Sequence, residues 1–258
     1  ALSQVLLMSL SLHGDRVLTR SPIGDFVLNE LREGTEENRL IILEHEHLLK
    51  GSYEDEICDI VSTMIEEARS AQAIHTGLNA SLALCDRIPE RFVPVLVSLI
   101  LEPEVRLAEI EGGPPNEGTI AWMSGDAALA LLEGTCNPAM LESLARNTGR
   151  PSARRAIREA LLSSVMSDEG CYPSLGAFAQ REWMLTTLSV CDIAGGIETM
   201  SISEVMSFGR YAQALPEQRK LVRDFLERAR QRILPEEKAV IVDELLKSLD
   251  FFEAQDNS

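Results

Sequence analysis

Aromatic side chains are scarce. The chain carries two Trp, three Tyr and seven Phe, 5% of its 258 residues. A core with so few rings must be filled by Leu, Ile, Val, Ala and Met. Leu and Ala are strong helix formers, whereas strands favour β-branched and aromatic residues, so this palette favours helix-on-helix packing over a sheet sandwich. No stretch alternates apolar and polar residues long enough to argue for a strand. Cysteine is limited to Cys58, Cys85, Cys136, Cys171 and Cys191, an odd number without a CxxC pair. The cysteines inside apolar phrases read as small free hydrophobes, and a reducing, cytoplasmic setting is expected. The apolar N-terminal stretch, residues 1–12, has no basic lead and is too short to cross a bilayer, so it reads as a packing helix.

Positive charge is also in short supply. Against 41 Asp and Glu stand 24 Lys and Arg, a formal net charge of −17. Residues 1–120 account for −12 of this and residues 121–258 for −5. Such a surface repels phosphate backbones and anionic lipid, which weighs against nucleic-acid and membrane partners and is compatible with a basic protein partner. Nucleophile and phosphate motifs are missing as well: there is no GxSxG, no P-loop and no Rossmann glycine series. Histidine occurs only at positions 13, 45, 47 and 75. In Glu44-His45-Glu46-His47 the two imidazoles lie two residues apart, about 200° around a helix, so they cannot chelate one ion within that helix. No metal and no cofactor is expected.

What the chain does have is helical punctuation. Ser21-Pro22, Thr35-Glu-Glu, Ser52-Tyr-Glu-Asp55, Asn137-Pro138, Ser201-Ile-Ser-Glu204, Pro216-Glu-Gln and Pro235-Glu-Glu are all helix-start signals. Between them apolar residues recur at helical spacing, as in Ala153, Ala156, Ile157, Ala160, Leu161, Ser164 and Val165. About a dozen helices joined by short turns are expected. Gly195-Gly196 reads as a turn or a helix end.

One phrase recurs. Ala80-Ser-Leu-Ala-Leu-Cys-Asp86 returns as Ala127-Ala-Leu-Ala-Leu-Leu-Glu133 and, more loosely, as Ile157-Arg-Glu-Ala-Leu-Leu-Ser163. The first interval is 47 residues and the second 30, from Leu84 to Leu131 and from Leu131 to Leu161. The difference predicts an inserted loop at about 102–118, around the chain's only Gly-Gly-Pro-Pro. Pro89–Pro103 resembles the first helix of a HEAT repeat, and Gly125–Gly134 and Ala153–Val165 resemble second helices. The resemblance covers residues 71–166. It implies an all-α fold, an α-α superhelix or HEAT-like solenoid of antiparallel helix pairs, forming a single domain over residues 1–258 with the insertion on it. It also implies a binding scaffold. HEAT-like iron hydroxylases use several His-Glu pairs, whereas this chain has only His45-Glu46.

Two groups of residues are candidate binding elements. Arg150, Arg154 and Arg158 recur every four residues, with Arg155 beside them, and read as an exposed stripe suited to bidentate recognition of carboxylate or phosphate. Trp122, directly after the insertion, is a candidate interface anchor. A second basic group comprises Arg219, Lys220, Arg223, Arg228, Arg230 and Arg232. The expected function is a protein–protein interaction scaffold that presents an acidic, grooved helical surface to a basic protein partner. The alternative is an enzyme or small-anion-binding protein whose concave pocket is lined by Arg154, Arg155 and Arg158. A third option is a subunit of a larger assembly, with apolar end helices 1–12 and 236–252 meeting other chains.

Overall fold

A computed structural model describes residues 22–43, 54–68, 70–84, 92–111, 117–167, 170–213 and 216–256. The described residues are all helical, with fourteen α-helices, two short 3-10 turns and no strand. None of these helices is long and apolar enough to cross a membrane. The chain divides into two compact units, Ala1–Thr135 and Cys136–Ser258.

In the first unit, α1 (Pro22–Glu33), α2 (Glu36–Leu43), α3 (Glu54–Glu66), α4 (Ala71–Leu84), α5 (Val93–Leu101), α6 (Pro103–Glu111) and α7 (Glu117–Thr135) follow in order. The start signals act where their chemistry predicts. Pro22 opens α1, and the Thr35 hydroxyl accepts from the Asn38 amide at 3.3 Å to cap α2. Helices α3 and α4 pack closely because Gly77 faces Ile65; a Cβ there would sit 2.7 Å from Ile65 Cγ1. Helix α7 then packs on both α4 and α5. Its recurring phrase supplies Ala127, Ala128, Ala130, Leu131 and Leu132, all fully buried. The expected loop at 102–118 is a correction: Pro103–Glu111 is helix α6, and α7 has begun by Glu117. Pro103 with Glu104 behind it is a first-turn pair that suits a helix start.

In the second unit, α8 (Pro138–Asn147) and α9 (Pro151–Met166) lead through the short α10 (Cys171–Ser174) to α11 (Ala177–Ile193). Asn137 caps α8 by accepting from the Met140 amide at 3.3 Å. Helix α11 packs on α8 and α9 and buries Trp183, Met184, Leu188 and Val190. Gly195 and Gly196 end that run with φ of +102° and +66°, conformations that L side chains rarely adopt, so glycine is required to turn the chain. The 3-10 turn Ile197–Thr199 follows, then α12 (Ile202–Ser207) with a complete Ser201–Glu204 capping box, and the turn Phe208–Gln213. Helices α13 (Pro216–Arg230) and α14 (Glu236–Asp256) pack on each other and close the unit.

The reading of the cysteines as free needs correction. Cys136, at the head of the second unit, is joined by a disulfide to Cys171 at the start of α10. Cys191 is free and wholly buried, and burial pushes its thiol far above the ordinary range. The N-terminal stretch 1–12, His45 and His47, Cys85 and the Gly-Gly-Pro-Pro segment lie outside the described residues.

Candidate functional site

The arginine stripe on α9 does not stand in solvent as a unit. Arg158 is a correction to the expectation of an exposed cation: it is 1% exposed. Its Nε and Nη2 donate to the two carboxylate oxygens of Glu204, at 2.9 and 3.2 Å, and its Nη1 donates to Thr199 Oγ1 at 2.8 Å. Glu204 Oε2 also accepts the Ser201 amide at 2.6 Å. One guanidinium therefore fixes both the capping box of α12 and the turn that carries Thr199. Arg154 turns back on the preceding helix, donating to the carbonyls of Ala145 at 3.1 Å and Thr148 at 2.7 Å, the end of α8. This satisfies carbonyls left open at a helix C-terminus. Arg150 and Arg155 are exposed. Arg150 sits at the N-cap of α9, where its backbone amide donates to Thr148 Oγ1 at 3.2 Å.

Four members of the second basic group are likewise paired inside their unit. Arg223 pairs with Asp250 at 2.7 Å and Glu253 at 3.1 Å on α14; these partners hold its guanidinium pKa above the ordinary value, against the lowering pull of desolvation. Arg230 pairs with Asp243 at 2.9 Å, Arg228 with Asp192 at 3.3 Å, and Arg232 with Glu198 at 3.4 Å. Exposed pairs of this kind contribute about 0–1 kcal/mol each, so their main effect is to set how α13 lies on α14 and on the end of α11.

Trp122 stands differently. Its neighbour Met123 is fully buried in the core, but Trp122 on the outer face of α7 is 37% exposed. The His75 ring, from α4, lies against it with centroids 4.3 Å apart and planes tilted by 47°. His75 is itself held at both nitrogens. Its Nδ1 is 3.2 Å from Asp126 Oδ2, one helical turn beyond Trp122, and its Nε2 is 3.1 Å from Asn79 Nδ2. The amide nitrogen of Asn79 can only donate, so Nε2 accepts and Nδ1–H donates to Asp126. Burial raises the Asp126 carboxyl above its ordinary pKa, against the lowering pull of the hydrogen bond with His75. At Gly125 an added Cβ would meet nothing within 4 Å, so the surface between Trp122 and Asp126 is open. Neither α4 nor α7 carries a Lys or Arg.

The constellation is thus an indole backed on one side by an imidazole, with a desolvated carboxylate beside it. Such a surface can take a cation by electrostatic attraction to the ring and to the carboxylate. His75 and Asp126 were missed in the sequence because they lie 51 residues apart. Among the described residues no group of three or more potential metal ligands comes together. Among the described residues the protein is all helical, with Trp122 exposed beside Asp126. No protein-family model, curated protein or solved structure matches the chain.

Proposed function

We propose that the protein is an interaction module that binds a basic protein partner through its acidic surface, with Trp122 as the anchor. In this reading a Lys or Arg side chain of the partner seats over the open side of the Trp122 ring and beside Asp126. The observation that carries it is Trp122 itself, 37% exposed and braced by His75 in a helix pair with no cation of its own. The charge balance supports it: Arg158, Arg223 and Arg230 pair within the second unit, while the chain as a whole carries −17. The small-anion alternative loses its support, because Arg158 is committed to Glu204 and Arg154 to backbone carbonyls. We further propose that the helix pairs stack as HEAT-like repeats, an arrangement supported by the burial of the recurring phrase in both α7 and α9. The cytoplasmic expectation rested on unpaired cysteines. With Cys136 and Cys171 joined, a compartment oxidising enough to keep that bond is the better reading.

The partner's association rate is expected to fall as ionic strength rises, because steering by net charge is screened over about 8–10 Å at 0.1–0.15 M salt. Stopped-flow association with an Arg- and Lys-rich peptide at several salt concentrations measures this, and a rate indifferent to salt would contradict the charge component. Replacing Trp122 with Ala is expected to weaken equilibrium binding of the same peptide by roughly tenfold or more, the scale of an aromatic anchor. Trp122→Phe, which keeps a ring, is expected to lose less.

A further inference from the structure

Helix α14 packs on α13, on α12 and on the turn Phe208–Gln213, and it buries Val242, Leu246 and Leu249. The opposite side of the helix, about 180° around its axis, carries a second set of apolar residues. There Val240 is 57% and Phe251 60% exposed. Between them on the same side stand Glu244 and Lys247, both largely exposed, with Nζ and Oε1 3.5 Å apart. These four residues follow one another at intervals of 4, 3 and 4, the spacing of a coiled-coil seam, so they form one straight stripe. Phe252 meets the Phe251 ring edge-on with centroids 5.6 Å apart, which steadies that ring.

The stripe is complementary to itself. Two such helices laid antiparallel, with a two-fold axis midway between Leu245 and Leu246, set Val240 against Phe251 of the second copy. The same register sets Glu244 against Lys247 of the second copy. By symmetry each contact occurs twice, so two apolar pairs flank two pairs of opposite charge. A slip of one turn would set Phe251 against Glu244, or Val240 against Lys247. Parallel pairing in register would set Glu244 on Glu244 and Lys247 on Lys247. We propose that this face of α14 pairs two copies of the chain as a two-fold antiparallel dimer. The apolar pairs supply the attraction, and the Glu–Lys pairs fix direction and register, as polar residues in a helix seam do. A contact of this symmetry closes on itself and stops at two copies. One helix face is a small interface, so the dimer belongs to the weak, reversible class. The net charge of −17 on each chain opposes it, and salt screens that repulsion. The contact lies in the second unit and does not depend on the reading of Trp122.

The test is sedimentation equilibrium of the full chain in about 0.15 M salt, where charge acts over only about 8 Å. Protein concentrations from about 5 to about 500 μM cover the weak range. The mass is expected to rise from 28.5 kDa toward twice that value. Phe251→Ser and Val240→Ser are each expected to weaken association roughly tenfold or more, since each removes two contacts by symmetry. Glu244→Lys sets lysine against lysine twice and is expected to weaken it by a similar factor. Adding Lys247→Glu to that variant is expected to restore association to within roughly threefold of the parent, because opposite charges face each other again. All four positions are exposed, so the far-ultraviolet circular dichroism of each variant is expected to match the parent. A mass fixed at 28.5 kDa throughout the range would overturn the proposal. So would association that survives Phe251→Ser, which would place the contact on another face. Association unaltered by Glu244→Lys, or not restored by the double reversal, would refute the antiparallel register.

Discussion

Replacing Arg158 with Met is expected to cost the second unit about 3–5 kcal/mol, the scale for breaking a buried ion pair by removing one partner. The loss comes from what remains behind more than from what is removed. Glu204, 15% exposed at its side chain, keeps its charge but loses both charge-assisted hydrogen bonds, and Thr199 loses its donor. The damage then spreads to the α12 capping box, since Glu204 also accepts the Ser201 amide. Urea unfolding followed by far-ultraviolet circular dichroism measures the change. The double variant Arg158→Met with Glu204→Gln is expected to be more stable than Arg158→Met alone, because glutamine still offers the cap an acceptor and leaves no buried charge unpaired. A double variant that is less stable by the sum of the single losses would show that the pair is not coupled in this way.

Removing the Cys136–Cys171 bond is expected to lower stability by about 4 kcal/mol at most, the loop-entropy value for a separation of 35 residues. The bond ties the start of the second unit to α10, whose four residues could hold little structure alone. Tyr172, next to Cys171, meets Trp183 edge-on with centroids 6.0 Å apart, so the bond also positions the cover over the largest buried side chain of that unit. The paired replacement Cys136→Ser with Cys171→Ser, compared with the parent in urea, gives the magnitude. Peptide mapping without reductant identifies the bond directly. Both residues found as thiols, with no loss of stability in the variant, would contradict the assignment.

What the sequence revealed follows from the range of each interaction. Caps are local: Asn137 reaches the amide of Met140, and Ser201 and Glu204 satisfy each other, three residues apart in both cases. Those helix starts were legible, as was the turn at Gly195-Gly196. The fate of Arg158 was not. Its spacing from Arg150 and Arg154 imitates a solvated stripe, and its true partner lies 46 residues away. The Cys136–Cys171 bond was hidden for the same reason, since no spacing rule marks it. Helix α6 was obscured by the neighbouring Gly-Gly-Pro-Pro, although Pro103-Glu104 signals a helix start in its own right. For the candidate site, the sequence pointed to Trp122 alone. His75, Asn79 and Asp126 became partners only when α4 packed on α7.

The most direct test of the central claim is a fluorescence titration of the Trp183→Phe protein with an Arg- and Lys-rich peptide, so that Trp122 is the sole reporter. A saturable change in Trp122 emission is predicted, with an affinity that falls steeply as salt is added and falls again when Asp126 is replaced by Asn. Peptide binding detected by calorimetry that leaves Trp122 emission unaltered and is unaffected by Trp122→Ala would contradict the account.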